Sequence, residues 1–199
     1  MNQAMNERLR AFTVVLVAAL LSLSSLAHGA ELPGDSVYRV AATLTDQNGV
    51  QKTFAESAGH VRLAAMFYAS CGYVCPMLIE QLRRIESQLD DGERARLRVL
   101  LISLDPDRDT PQALAELASK RKLDLTRWTL AQPAATDLRG LSAVLNVQYR
   151  KLDDGEFNHS SVITLLDAEG RVLAKTSNLG EKPNAEFIDK LRKALAEAR

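Results

Sequence analysis

Along this chain, short apolar runs of strand length alternate with longer stretches whose apolar residues recur every three or four positions. Residues 37–44 and 50–54 flank Asp46-Gln47-Asn48-Gly49, and Asn-Gly between such runs predicts a hairpin. Residues 62–68 are nearly all apolar and bounded by turn residues, the pattern of a strand covered on both faces. Residues 98–104 repeat it, and residues 128–130 repeat it more weakly. After Pro76, Leu78, Leu82, Ile85 and Leu89 form a helical stripe. Thr110-Pro111 reads as a helix start, with a hydroxyl cap and proline at the first helical position. Leu138, Leu141 and Leu145 mark a further helix, and Phe187, Ile188, Leu191 and Leu195 a final one. Between these last two, residues 162–166 and 171–175 flank a turn at 167–170 and predict a second hairpin. Strands alternating with helices predict an α/β fold. Its central sheet is mostly parallel, flanked by helices on both faces and carrying an antiparallel hairpin.

The first 30 residues have a different pattern. Arg8 and Arg10 precede an apolar stretch of 13 residues, Ala11 to Leu23, and then Ser25-Leu26-Ala27 and other small residues up to Ala30. This is the layout of a signal peptide over residues 1–30, cleaved near 27–30. A membrane span needs about 20 apolar residues, so an uncleaved tether is the rival reading. Either way residues 31–199 are expected to be exported, to a periplasmic type of compartment. Cleavage after Ala27 leaves 172 residues, with 23 basic against 24 acidic. That length suits one domain with a full core. The balanced charge, without any basic block, argues against nucleic acid as a partner.

The chain has two cysteines, Cys71 and Cys75, placed where the apolar run 62–68 gives way to a helix. Two are too few for a disulfide scaffold, which points to a site role. A helix start favours the thiolate through its unpaired amides and dipole, and thiolate attacks disulfides and binds soft metals. In an oxidising compartment such a pair closes into a disulfide unless a reductant or a metal holds it open. So short a loop gains little entropic stabilisation from closure.

In an open α/β sheet, function gathers at the carboxyl ends of the strands. Cys71 and Cys75 follow one strand there, and residues 105–111 follow the next. If residues 162–166 run antiparallel to their neighbour, His159 begins on the same rim. Asp105, Asp107, Arg108 and Asp109 are most simply a charged loop with a helix cap, with shaping of partner contact or tuning of the site as the alternative reading. His60 reads as a surface residue, and His28 lies at the processing boundary.

Cys71-x-x-x-Cys75-Pro76, then Leu101-Ile102-Ser103-Leu104-Asp105-Pro106-Asp107-Arg108-Asp109-Thr110-Pro111, then His159-Ser160 before an apolar strand together resemble the Sco/SenC family. The resemblance spans the chain from about Val37 to Leu195. It implies a thioredoxin-like α/β fold, with a central mixed β-sheet flanked by helices and an N-terminal β-hairpin, and work on the copper site of cytochrome oxidase. By that likeness Cys71, Cys75 and His159 correspond to the family's copper ligands. Gly72 stands where the family usually has proline, and residues 149–157 are shorter than in many relatives.

The donor types suit that implication. Two thiolates select Cu(I), and an imidazole lets the same site accept Cu(II). Structural zinc normally takes four protein ligands, and three are evident. Two function classes follow. One is a metallochaperone that binds and transfers copper without turnover, its client a copper enzyme such as a cytochrome oxidase subunit. The other is a thiol–disulfide oxidoreductase, with Cys71 and Cys75 as redox thiols that reduce a client's copper-ligand cysteines. Membrane contact is expected only through the client or an uncleaved tether. The oxidoreductase has no obligatory use for His159, and three residues between the cysteines widen the bite toward chelation. A peroxidase lacks its Thr-x-x-Cys context, since Tyr68 occupies the threonine position.

Overall fold

The computed structural model describes residues 31–71 and 74–198, with the backbone alone for Val74 and Cys75. The leader expected over residues 1–30, His28 and Gly72 lie outside the described residues. The elements run β1 (Thr43–Asp46), β2 (Gln51–Thr53), β3 (Arg62–Phe67), α1 (Val74–Ser87), α2 (Asp91–Arg96), β4 (Arg98–Ser103), α3 (Pro111–Lys120), β5 (Trp128–Pro133), α4 (Leu138–Val144), β6 (Tyr149–Lys151), β7 (Phe157–His159), β8 (Ile163–Leu166), β9 (Val172–Thr176) and α5 (Ala185–Glu197).

One seven-stranded sheet has the order β2-β1-β5-β4-β3-β8-β9, and β6 pairs with β7 separately. The parallel pairings are β3 with β4 and β4 with β5; the others in the sheet are antiparallel. The sheet is therefore mixed, as the family resemblance implies. The reason is that each hairpin read from the sequence, β1–β2 and β8–β9, adds to one edge. With helices flanking it, this is a thioredoxin-like α/β fold. No helix among the described residues is long and apolar enough to cross a membrane.

All six residues of β3 are buried, as its unbroken apolar run demands. Helix α1 sets Leu78, Ile79, Leu82 and Ile85 into the core, the stripe expected of an amphipathic helix. Its far end is fixed by Glu86, whose carboxylate accepts from Trp128 Nε1 at 3.1 and 3.2 Å and pairs with Arg127. Thr110 caps α3, its hydroxyl accepting from the Ala113 amide at 3.3 Å, with Pro111 following.

The strand expected over residues 37–44 divides in two. Val37–Arg39 is a single turn of 3-10 helix, and only Thr43 onward joins the sheet. The Ser36 hydroxyl donates to the Glu169 carbonyl, and the Val37 amide to that of Gly170. These contacts dock the segment on the β8–β9 turn. Gly170 has a positive φ of 83°, and a Cβ there would meet the Tyr38 ring at 2.4 Å. Glycine is thus required twice over.

Candidate metal centre

Strand β3 ends at Phe67 and releases Tyr68-Ala69-Ser70-Cys71, where the Cys71 amide turns back to the Tyr68 carbonyl at 3.2 Å. Helix α1 begins at Val74, so Cys75 is its second residue rather than a residue of the preceding turn. Backbone amides in that first turn are unpaired within the helix, an environment that stabilises a thiolate.

The loop after β4 holds this turn from behind. Asp109 is 2 % exposed. Its two carboxylate oxygens accept from the Ala69 amide at 3.1 and 3.0 Å, and Oδ2 also accepts from the Ser103 hydroxyl at 2.5 Å. Ser103 Oγ in turn accepts from the Asp105 amide at 2.9 Å, which directs its proton toward Asp109. Burial pushes the Asp109 carboxyl above its ordinary value, against the lowering effect of these two hydrogen bonds.

Arg108 reaches the other way. Its guanidinium pairs with the buried Asp105, donates to the Gly155 carbonyl at 2.5 Å and lies 3.5 Å from the Glu156 carboxylate. Gly155 and Glu156 belong to the turn of the β6–β7 hairpin, whose last residue is His159. Neighbouring residues of one loop thus anchor the thiol-bearing turn and the histidine-bearing hairpin. Beyond forming a charged loop with a helix cap, these residues tie the two segments together.

His159 sits on the expected rim. Ile163, at the start of β8, pairs antiparallel with Ala65 near the carboxyl end of β3. Its Nδ1 lies 3.2 Å from the Ser160 carbonyl. A carbonyl can only accept, so Nδ1 carries the proton and Nε2 keeps its lone pair. Burial holds the imidazole below its ordinary pKa, and the Ser160 contact opposes this more weakly. The ring is therefore neutral at pH 7, in the state that ligates metals.

Tyr68 links the two groups. Its hydroxyl donates to the Phe157 carbonyl at 3.5 Å, in the neighbourhood of Cys71 and Glu156. Its ring packs at 5.3 Å from Phe157 and, edge-on at 74°, at 5.8 Å from His159. Burial first, then Cys71 and Glu156 as acceptors, push the phenol pKa up. Tyr68 accordingly remains a donor.

Of the expected site residues, Cys71 and His159 share this rim through Tyr68. Cys75 enters by its backbone position, its side chain lying outside the described residues. No cluster of three His, Cys, Asp or Glu forms among the described residues. His60 is exposed and precedes β3 at the opposite end from Cys71. The pattern reading missed the β6–β7 hairpin. Its signal is Asp154-Gly155, a turn dipeptide, with Gly155 at φ 84°.

The comparisons with known proteins concern the family and the fold. The SCO1/SenC family model matches residues 34–196. The SCO1 protein homolog of Bacillus subtilis (strain 168) is 24 % identical over 184 residues, covering 90 % of this chain and 95 % of the relative. The solved structure of BsSco, described through a disulfide switch and as a member of the Sco family of cytochrome c oxidase assembly proteins, superposes with a TM-score of 0.68 at 20 % identity. That match covers 84 % of this chain and 99 % of the other. Bradyrhizobium japonicum ScoI with copper bound superposes with a TM-score of 0.64 at 24 % identity, covering 77 % and 97 %. With a family model matched across nearly all of the described residues, on a fold that those structures share, this chain belongs to the SCO1/SenC family.

Proposed function

We propose that this chain is an exported copper-binding metallochaperone, residues 31–199 forming its working domain after a signal peptide at 1–30. It delivers copper to, or prepares, the copper site of a respiratory enzyme such as cytochrome c oxidase. Cys71, Cys75 and His159 hold the ion. Family membership and a relative solved with copper support the reading. The observation that carries it is His159. Its Nδ1–H is tied to a backbone carbonyl and its Nε2 lone pair is left available, the arrangement metal-ligating histidines adopt. A purely redox thiol pair has no use for an imidazole prepared in that way.

The donor set fits copper as cargo. Two soft thiolates suit Cu(I), and one neutral imidazole adds the donor Cu(II) prefers. Anaerobic titration of the reduced chain is expected to load one copper per chain. Cys71→Ala and Cys75→Ala should each abolish stable binding. His159→Ala should weaken Cu(II) far more than Cu(I) and leave Cys71–Cys75 disulfide formation nearly intact. A His159→Ala chain that binds both copper states like its parent refutes the three-ligand site.

The second reading, a thiol–disulfide oxidoreductase that reduces a client's copper-ligand cysteines, is favoured by one observation. Cys75 occupies the first turn of a 14-residue helix, a placement that activates thiols. Low copper affinity in the parent, with rapid exchange against a client disulfide, would decide for it.

A further inference from the structure

We propose that the free edge of β6 is a docking site, where an extended acidic segment of the client adds to the β6–β7 hairpin as a third strand beside His159. That the partner is a copper-enzyme client rests on the copper reading above; the docking edge does not.

The backbone defines the edge. β6 and β7 pair in register, Tyr149 with His159, Arg150 with Asn158 and Lys151 with Phe157. At the two ends of that register the Ser160 amide donates to the Gln148 carbonyl at 2.9 Å, and the Leu152 amide to the Glu156 carbonyl at 2.7 Å. Antiparallel pairs alternate between hydrogen-bonded and non-hydrogen-bonded. Residues 148, 150 and 152 therefore turn their backbone groups toward β7, and Tyr149 and Lys151 turn theirs away. No further strand joins this pair among the described residues, so those outward amides and carbonyls can accept one.

Charge selects the strand. A depression of about 670 Å³ lies between Arg139, Ser142 and Ala143 of α4 and residues 147–151. A second, of about 440 Å³, shares Gln148, Tyr149 and Arg150 with it and runs on to Asn158, His159 and Ser160. Three cations, Arg139, Arg150 and Lys151, line the first, and no carboxylate lines either. All three are exposed, and none has an ion-pair partner among the described residues. The hairpin's own acids belong to its turn, where Glu156 pairs with Arg108. A second copy of this chain is a poor occupant. Antiparallel pairing of two β6 edges centred on Arg150 would set the two Arg150 side chains opposite each other, and like charges so placed are destabilising. Carboxylates opposite Arg150 and Lys151, with Arg139 on the facing helix, make the complementary case.

The edge leads to the candidate ligands. Neighbouring strands lie about 4.8 Å apart, so a client residue paired with Tyr149 is about 10 Å from His159. An extended chain covers that distance in about three residues. Client ligands a few residues beyond the acidic run thus reach the rim that carries His159 and Cys71.

The test titrates the blocked peptide Thr-Val-Asp-Glu-Val-Thr into the reduced, copper-free chain, followed by 15N–1H spectra. Binding is expected, with the largest amide shifts at Tyr149 and Lys151. Arg150→Glu and Lys151→Glu each replace an attraction by a repulsion at an exposed side chain, and each should weaken binding about tenfold. N-methylation of the Asp and Glu amides, one of which must face β6, should also weaken it about tenfold. Lys-Lys in place of Asp-Glu should abolish it. Binding that leaves the Tyr149 and Lys151 amides unshifted, or that survives N-methylation, overturns strand addition. Binding indifferent to both charge reversals overturns the acidic partner. A parent that pairs with its own copy through these amides, or that takes up phosphatidylserine vesicles and not the peptide, overturns the occupant. The peptide has no thiol and the chain no copper, so a parent that fails the copper titration refutes the copper reading alone.

Discussion

Replacing Asp109 tests whether the loop after β4 holds the thiol-bearing turn in place. Asp109→Ala strands two buried donors, the Ala69 amide and the Ser103 hydroxyl. Each unpaired buried polar group costs about 1–3 kcal/mol. Removing a buried carboxylate returns part of that, because its raised pKa marks an unfavourable charge. The expected net loss is about 2–3 kcal/mol, and for a domain of this size about 4–10 °C in Tm. Asp109→Asn keeps the shape and one acceptor oxygen, so its loss at low pH should stay near ~1 kcal/mol. The pH dependence has a definite sign. A carboxyl whose folded pKa is raised gives its full stabilisation below the unfolded value of about 3.9 and loses it as pH rises through the folded value. The parent therefore loses stability in that window and Asp109→Asn does not, so the gap between them should narrow from pH 4 toward neutrality. Urea unfolding at several pH values measures the gap, and hydrogen exchange at Ala69 reports the local effect. If the gap widens with rising pH, the hydrogen bonds outweigh burial and the assigned direction is wrong. If Ala69 exchanges no faster in Asp109→Ala, the carboxylate does not hold the turn.

Three further outcomes follow from the same contacts. Glu86→Ala leaves Trp128 Nε1 without its acceptor and takes one of two carboxylates from Arg127, which keeps Asp124, and should cost about 1–3 kcal/mol by chemical denaturation. Arg108→Ala leaves the buried Asp105 carboxylate without its guanidinium and should cost about 1–3 kcal/mol; its local effect should be faster amide exchange across residues 155–159 and weaker Cu(II) binding. Intact-mass analysis of envelope fractions should find a mature chain that starts between His28 and Glu31, and a full-length, carbonate-resistant species would favour the tether instead.

What the sequence made legible was whatever depends on local pattern. The apolar run at 62–68 became the fully buried β3, and Thr110-Pro111 became the cap and first residue of α3. The order of cysteines, the 105–110 loop and His159 placed three elements on one rim before any coordinates. Short elements escaped, for physical reasons. Helix α2, six residues held by the Asp90–Glu93 capping box, is too short to develop a helical period. β6 and β7 have three residues each, fewer than an alternation needs to be recognised. Val37 and Tyr38 looked like strand because they are apolar, yet they pack on the β8–β9 turn through contacts more than 130 residues apart in sequence. The packing of Tyr68 was not legible for a related reason: its partners Phe157 and His159 lie about 90 residues away.

The division of labour around the rim explains why the site can be both held and open. Cys71 lies on the loop after β3 and His159 at the end of β7, two segments far apart in sequence. In the proposed copper site, their supports come from residues other than the ligands: Asp109 behind the cysteine turn, Arg108 across to the hairpin, Ser160 behind the imidazole. Such a frame fixes donor directions while the donors stay at the surface, so a client ligand can approach without unfolding its host. A transfer site needs that combination, since the ion must be oriented well enough to be held and exposed enough to leave. The frame also sets a rule for damage. Substituting a support should alter the balance between Cu(I) and Cu(II) before it abolishes binding, whereas substituting either cysteine should abolish binding outright.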